Sequence, residues 1–142
     1  MTLQLFSHPF ASYCWKALIA LYENNTPFSY RMLDGEHADN GVELARLWPP
    51  GKFPVLLDGA RVVPEASAII DYLHVHHKGP VRLIPDDPDA AVQVRLMDRV
   101  FDNHVMMPMQ TIVGDYLKPP EPPRPGRGRA GEGGAGCDLW LA

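Results

Sequence analysis

The 142-residue sequence predicts an α/β fold in which helices cover a four-stranded mixed sheet, and three patterns support this. An apolar run at residues 3–6 is followed by helical spacing up to Tyr22, and strand-like alternation returns at residues 28–32. A second pair of strand patterns surrounds a turn at residues 58–59, and a further helical pattern begins at Glu65. The order βαβ followed by ββα is that of a mixed sheet with helices on its faces.

The first strand and helix hold the first candidate residues. His8-Pro9 ends the strand, because proline supplies no ladder N–H and biases the preceding residue towards extended geometry. Ser12 is expected at the helix N-cap, where its hydroxyl would accept a hydrogen bond from a backbone N–H. A strand that leads into a helix N-terminus in this way is suited to hold an anion. The predicted buried face of the helix consists of Ala17, Leu18, Leu21 and Tyr22.

The middle of the chain predicts three further strands, two of which form a hairpin, and two helical segments. Residues 28–32 alternate like a half-buried strand, residues 34–41 are expected to form a polar loop, and residues 42–48 allow one or two helical turns. Residues 53–57 and 61–63 predict a hairpin with a tight turn at residues 58–59. The helix over residues 65–76 is expected to bury Ala68, Ile69, Tyr72 and Leu73.

Changes in composition divide the chain into four segments. We predict a first domain at residues 1–77, a linker at 78–88, the start of a helical domain at 89–117 and a disordered tail, rich in proline and glycine, at 118–142. One long helix is expected over residues 89–113, kinked or broken at Pro108. Its apolar stripe predicts core packing or a dimer seam and consists of Val94, Met97, Phe101 and Val105.

Composition limits the classes of function. The content of hydrophobic (46%) and charged (21%) residues is typical of a soluble globular protein, and no apolar run approaches the ~20 residues that span a bilayer. We see no secretory signal, and a net charge of −4 offers no footprint for nucleic acid. Cys14 and Cys137 lie in different contexts and predict no disulfide framework. The expected location is the cytoplasm.

Three motifs occur in order: LQLFSHPFASYCWKALIALY at residues 3–22, GKFPVL at 51–56 and EASAIIDYL at 65–73. In this order and at this spacing they resemble the soluble glutathione S-transferases, over roughly residues 1–117. The resemblance implies a thioredoxin-like first domain, glutathione as co-substrate without a metal, and a small electrophile as second substrate. It also implies a longer helical second domain than residues 89–117 provide, so that domain is expected to be truncated here. Because the stripe from Val94 to Val105 would lack its usual cover, we also expect self-association through this helix and residues 68–76, and hence a homodimer, or else poor solubility.

In the resembling family a side chain at the start of the first helix stabilises the glutathione thiolate. The position that usually carries serine or cysteine falls on Ala11, which has neither a hydroxyl nor a thiol. Ser12 is therefore the predicted donor, with Tyr13 and Cys14 as alternatives, although capping alone also explains a serine at this position. One turn into the helix, Cys14 fits a buried, inert thiol better than a nucleophile.

The second motif implies the docking point for glutathione. In the family the proline that matches Pro54 is cis, and the peptide before it pairs with the cysteinyl backbone, so we predict a cis Phe53–Pro54 bond. Lys52 is expected either to pair with the glycyl carboxylate or to be a solvated surface lysine.

The third motif implies the γ-glutamyl site. In the family the acid that matches Glu65 and the serine after it hold this group, with backbone N–H groups at the helix start binding the carboxylate. Here Ala66 replaces that serine and Ser67 follows it, so weaker γ-glutamyl binding is expected.

Other interpretations remain open. His74, His76 and His77 cluster at a helix C-terminus, but no cysteine or carboxylate completes a metal site, so we predict none. A glutaredoxin-like thiol oxidoreductase would use Cys14, which lacks a partner because Ala11 occupies the first position of the usual C-x-x-C. A non-catalytic, truncated transferase-like module is the third possibility.

Overall fold

The computed structural model describes residues 2–118, so Cys137 and all but the first residue of the predicted tail lie outside the described residues. The elements are β1 (Leu3–Ser7), α1 (Ser12–Glu23), β2 (Phe28–Met32), α2 (Ala38–Leu47), β3 (Val55–Asp58), β4 (Arg61–Pro64), α3 (Ala66–His76), α4 (Pro88–Phe101), a π-helical segment (Asp102–Met106) and α5 (Met107–Leu117).

The four strands form one mixed sheet in the order β2-β1-β3-β4. β1 pairs with β2 in parallel, from Leu3 opposite Phe28 to Ser7 opposite Met32. The other two pairings are antiparallel and meet at Val55, which lies opposite Phe6 on β1 and opposite Pro64 on β4. The predicted thioredoxin-like sheet is therefore confirmed.

Apolar side chains fill both faces of the sheet. On one face Leu5 and Leu56 pack with α1 and α3, and on the other Phe6 and Val55 pack with Leu44 of α2. Neighbouring strand residues point to opposite faces, so strands covered on both sides are apolar without alternation. This explains the continuous apolar character of the first and third strands.

The predicted helix faces are confirmed in part. Ala17, Leu18 and Leu21 are buried, but Tyr22 is 62% exposed and was wrongly assigned to the core. On α3 the buried residues are Ala66, Ile69 and Leu73, a spacing of three and four that turns Ala68 to the outside. Tyr72 is half-buried, because its hydroxyl reaches the Asp58 carboxylate at 2.8 Å.

Helix α2 begins at Ala38, within the stretch predicted as a loop. Its first turn is anchored to the sheet by Asn40, whose Nδ2 donates to the Met32 carbonyl at 2.8 Å. The Asn40 side chain also accepts from Arg31 Nε, and Arg31 bonds to Glu43 one turn later. These tertiary contacts, rather than local apolar periodicity, account for the longer helix.

Residues up to Arg99 form one compact unit, and the described part of a second unit starts at Val100. The helix predicted over residues 89–113 is divided by the π-helical segment that precedes Pro108. Pro108 lies in the first turn of α5, where the missing N–H costs little, so helical structure resumes instead of ending. The predicted stripe does not form a core, since the side chains of Val94, Met97, Phe101 and Val105 are all exposed.

Candidate functional site

The loop between β1 and α1 is held by its own hydrogen bonds. The backbone N–H of Phe10 donates to His8 Nδ1 at 3.2 Å, and that of Ala11 donates to the His8 carbonyl at 3.1 Å. Trp15 Nε1 donates to the Pro9 carbonyl at 3.0 Å. The loop therefore presents the first turn of α1 in a defined position.

Ser12 is the first residue of α1 and not its N-cap, so that prediction was wrong. The N-cap is Ala11, whose backbone is extended (φ −89°, ψ 114°) and whose methyl group cannot accept a hydrogen bond. An N-cap residue has non-helical backbone angles. The chain turns at Pro9, and the last residue with such angles before the helix is Ala11. Ser12 and Tyr13 are half-buried at the start of the helix, so both remain candidate thiolate donors.

Cys14 is fully buried behind this turn. Burial raises the pKa of its thiol, although hydrogen bonds from the Ser7 side chain and the His8 backbone partly oppose that change. Ser7 is itself fully buried and accepts a hydrogen bond from the Tyr30 hydroxyl at 3.1 Å. A buried thiol with a raised pKa is a poor nucleophile, which argues against the oxidoreductase alternative.

The Phe53–Pro54 peptide bond is cis, as predicted. Pro54 is buried and Phe53 is half-buried, whereas Lys52 is exposed to solvent. The paired part of β3 begins at Val55, so the backbone of Phe53 lies just beyond the ladder. The rings of Phe53 and His8 are 6.3 Å apart, which joins this loop to the one before α1.

Glu65 is the N-cap of α3 and has a left-handed backbone conformation (φ 70°, ψ 124°). Such a conformation in a residue other than glycine costs about 1–3 kcal/mol and often marks a functional site. The Glu65 side chain is exposed, and its carbonyl accepts a hydrogen bond from the Ile69 N–H at 2.9 Å. No local sequence pattern indicated this backbone conformation.

The strand register brings these groups to one end of the sheet. One step beyond the Phe6–Val55 pair lie Ser7 and Pro54, and one step beyond the Val55–Pro64 pair lie Pro54 and Glu65. Strands are ~4.8 Å apart, so the row from Ser7 to Glu65 measures ~10 Å. The first turn of α1, the Phe53–Pro54 peptide and the start of α3 thus border one surface.

Ser67 belongs to a different polar cluster. Its hydroxyl donates to Asp98 Oδ2 at 2.6 Å and accepts from Lys16 Nζ at 3.1 Å and from Arg99. Lys16 also pairs with Asp98 at 2.5 Å. Burial opposes ionisation of Asp98, but the hydrogen bonds from Lys16, Ser67 and Arg99 outweigh it and lower the Asp98 pKa to about 2. Sequence reasoning missed this cluster because its members are far apart in the chain.

The histidines at the end of α3 make a structural contact. His77 Nε2 lies 2.8 Å from Asp58 Oδ2, and hydrogen bonds from His77 and Tyr72 lower the Asp58 pKa. Within residues 2–118, no three histidine, cysteine or acidic side chains come together as a metal site. No helix in that range is long and apolar enough to cross a bilayer.

Comparison with known proteins identifies the family. Residues 5–81 match the model of the glutathione S-transferase N-terminal domain. The chain belongs to the glutathione S-transferase family. Curated relatives include a probable maleylacetoacetate isomerase of Caenorhabditis elegans, 32% identical over 64% of this chain and 42% of the relative. Glutathione S-transferase 1 of Dianthus caryophyllus is 37% identical over 60% of this chain and 38% of that protein.

Solved structures agree with the fold. The β-etherase LigF of Sphingobium aligns with 27% identity and a TM-score of 0.64, over 72% of this chain and 43% of that structure. Poplar glutathione transferase F1 aligns with a TM-score of 0.71 and 20% identity, over 86% of this chain and 58% of that structure. The chain spans about two fifths of the length of the curated relatives it matches.

Proposed function

We propose that the chain binds reduced glutathione at this end of the sheet and activates its thiol for conjugation to a small electrophile. The observation that supports the proposal is the strand register, because Ser7, Pro54 and Glu65 follow the last antiparallel pairs at one end of the sheet. An extended tripeptide is ~10 Å long, about the length of the row from Ser7 to Glu65. Two of the related structures, Ure2p and a Sulfitobacter homologue, were solved with glutathione bound, which supports this choice of ligand.

Each part of glutathione has a proposed contact. The Phe53 backbone, next to Pro54, pairs with the cysteinyl residue as an added strand would. Lys52 pairs with the glycyl carboxylate. The γ-glutamyl group binds at Glu65 and at the N–H groups of Ala66 and Ser67, where the start of α3 favours an anion. The Ser67 side chain contributes less than its backbone, because its hydroxyl already bonds to Asp98.

Thiolate formation requires only a modest interaction energy. A free cysteine thiol has a pKa of ~8.5, and lowering that value by about two units takes ~2.7 kcal/mol. A hydrogen bond to a charged group contributes ~1.5–3 kcal/mol, and a helix N-terminus adds to it. The Ser12 hydroxyl at the start of α1 is our proposed donor, and Tyr13 is the alternative.

The second candidate is a glutathione-binding module without catalysis. It is favoured by Ala11, since the methyl group at the N-cap of α1 stands where the family usually has a hydroxyl or thiol. The two candidates make the same prediction for glutathione binding and differ in the pKa of the bound thiol. We further propose a cytoplasmic homodimer that engages neither nucleic acid nor membrane.

Calorimetric titration with reduced glutathione tests binding. We expect one saturable site, weakened about tenfold by Glu65→Ala, because a charged hydrogen-bonding group is lost. Glu36→Ala is the matched control, since Glu36 is also exposed but lies before α2. A folded chain without saturable heat would exclude both candidates.

Ultraviolet thiolate absorbance of bound glutathione tests activation. Ser12→Ala should raise the pKa of the bound thiol by about one to two units, whereas Ser29→Ala on β2 should leave it unchanged. A bound thiol with the pKa of free glutathione in the unmodified chain would favour the non-catalytic module. Complete loss of activity in Cys14→Ser would revive the oxidoreductase alternative.

A further inference from the structure

Ser7 ends β1 immediately before the loop that leads to α1. Of the polar and charged residues from 2 to 118, it alone is fully buried. Burial of a hydroxyl without hydrogen bonds costs ~1–3 kcal/mol, so a serine at such a position depends on its partners. Those partners lie on neighbouring elements and define what the side chain does.

The Ser7 hydroxyl links three elements. It accepts a hydrogen bond from the Tyr30 hydroxyl of β2 at 3.1 Å and donates one to the Cys14 sulfur of α1. The His8 backbone N–H donates to the same sulfur, and the Leu33 N–H donates to the Ser7 carbonyl at 3.0 Å. A hydroxyl has one donor hydrogen and two acceptor sites, so its two bonds are compatible. Ser7 thus ties the ends of β1 and β2 to the first turn of α1.

Both proposed thiolate donors lie in the segment between Ala11 and Cys14. The Ala11 N–H donates to the His8 carbonyl at 3.1 Å, and the Cys14 N–H donates to the Ala11 carbonyl at 3.0 Å. One end of the segment is therefore attached to the loop, and the other end is attached to Ser7 through the Cys14 sulfur. Since Ser7 is fully buried, it acts on a bound ligand only through this turn.

We propose that Ser7 is a positioning residue for glutathione activation: together with Tyr30 it fixes the first turn of α1 so that the thiolate donor meets the bound sulfur. The inference rests on the proposed function and adds residues that do not touch glutathione. A hydrogen bond weakens steeply as its distance and angle depart from the optimum, so a small displacement of this turn costs thiolate stabilisation. The proposed contacts at Phe53 and Glu65 belong to other parts of the chain and remain.

Titration of the bound glutathione thiol, followed by its ultraviolet thiolate absorbance, tests the proposal in the full chain. Ser7→Ala removes the central hydroxyl and should raise the pKa of the bound thiol by about one unit. Tyr30→Phe removes one donor but keeps the ring, and should raise that pKa by about half a unit. Tyr22→Phe is the matched control and should leave it unchanged, because Tyr22 is exposed on α1 and its contact with the Phe28 ring persists.

Two comparisons separate positioning from a general effect on the fold. Calorimetric affinity for glutathione at pH ~5.5, where the bound thiol is protonated, should change by less than about twofold in both variants. The double variant Ser7→Ala/Tyr30→Phe should match Ser7→Ala alone, because Tyr30 acts through Ser7.

An unchanged thiol pKa in folded Ser7→Ala and Tyr30→Phe, even with reduced stability, would overturn the proposal and leave glutathione binding intact. An equal shift in Tyr22→Phe, or additive shifts in the double variant, would overturn it as well. If Ser7→Ala does not fold, the comparison of Tyr30→Phe with Tyr22→Phe decides alone. Absence of saturable glutathione binding by the unmodified chain would instead refute the proposed function, and this inference with it.

Discussion

Glu65 combines an exposed carboxylate with a left-handed backbone at the start of α3. Glycine adopts this conformation without steric cost, so the presence of an acid there is unfavourable for stability and needs another reason. A role for the carboxylate in binding the γ-glutamyl group supplies one. Replacing Glu65 with glycine should therefore raise the free energy of unfolding and lower the affinity for glutathione.

Glu65→Gly should have a free energy of unfolding about 1 kcal/mol higher than that of Glu65→Ala, while both lose glutathione affinity. Both variants lack the carboxylate, so the difference isolates the backbone conformation. Urea unfolding gives the free energies. The same pair of substitutions at Asp39, inside α2, should show the opposite order by about 0.5–1 kcal/mol. A Glu65→Ala variant as stable as Glu65→Gly would contradict the backbone argument.

Asp98 has the most strongly displaced pKa in the described chain. Because its folded pKa, about 2, lies below the unfolded value of ~3.9, its ionised form stabilises the folded chain above pH ~4. That contribution is lost as the pH falls from about 4 to about 2. Asp98 therefore links α1 and α3 to α4 at neutral pH and progressively less in acid.

Asp98→Asn should lower the free energy of unfolding at pH 7 by about 1–3 kcal/mol, since it removes a half-buried charge that accepts several hydrogen bonds. The difference from the unmodified chain should narrow below pH ~4. Urea unfolding at several pH values between 7 and 3 measures the decrease in the free energy of unfolding and its dependence on pH. Asp115→Asn is the control, because its pair with Lys118 is exposed and should contribute less than about 1 kcal/mol. A difference independent of pH would contradict this account.

At the scale of elements, the segment between α3 and α4, which we predict as a linker, is anchored to the first compact unit at particular residues although most of it is exposed. Its Ile84 is buried, and the Val81 N–H donates to Asn24 Oδ1 at 2.8 Å, at the end of α1. Gly79 passes so close to the Asn24 side chain that an added Cβ would collide with it. The absence of a side chain at Gly79 therefore permits this contact.

Gly79→Ala should lower the free energy of unfolding by about 1–3 kcal/mol, because the new methyl group overlaps Asn24. Gly41→Ala is the matched control: it lies inside α2, where an added Cβ meets nothing within 4 Å. The control should raise the free energy of unfolding by about 0.5–1 kcal/mol through helix propensity. Thermal unfolding followed by circular dichroism would compare them, and equal effects would refute the predicted overlap.

At the scale of the whole molecule, apolar side chains lie exposed on α3 and α4. They include Val75 (59% exposed), Val94 (39%) and Met97 (47%), together with the exposed Ala68. Apolar side chains exposed on neighbouring helices are candidates for an interaction site. The expected homodimer would cover it.

Sedimentation velocity at increasing concentration should therefore show self-association. Met97→Glu should weaken that association, because it places a charge within the apolar surface, whereas Val42→Glu, on the exposed side of α2, should not. A monodisperse monomer of the unmodified chain, seen by light scattering at high concentration, would refute this expectation.

Much of the fold could be predicted because its signals are local. Alternation and helical spacing located all four strands, and turn residues at His8-Pro9 and at residues 58–59 separated the elements. Errors arose where tertiary contacts outweighed local pattern: the polar anchor at Asn40 lengthened α2, and the rotation of α3 exposed Ala68. The N-cap moved from Ser12 to Ala11 because backbone angles, and not side-chain preference, define a cap.

The sequence by itself determined the order of the elements, because strand and helix patterns depend on residues close together in the chain. It also determined the family, through three motifs in order and at their spacing, and the resemblance to that family implied the cis Phe53–Pro54 bond. Only the tertiary structure decided that Cys14 is buried, that Ser67 bonds to Lys16 and Asp98, and that Glu65 is left-handed. Burial and hydrogen bonding depend on atoms supplied by distant segments. A sequence pattern can name such groups, but only packing brings them within bonding distance.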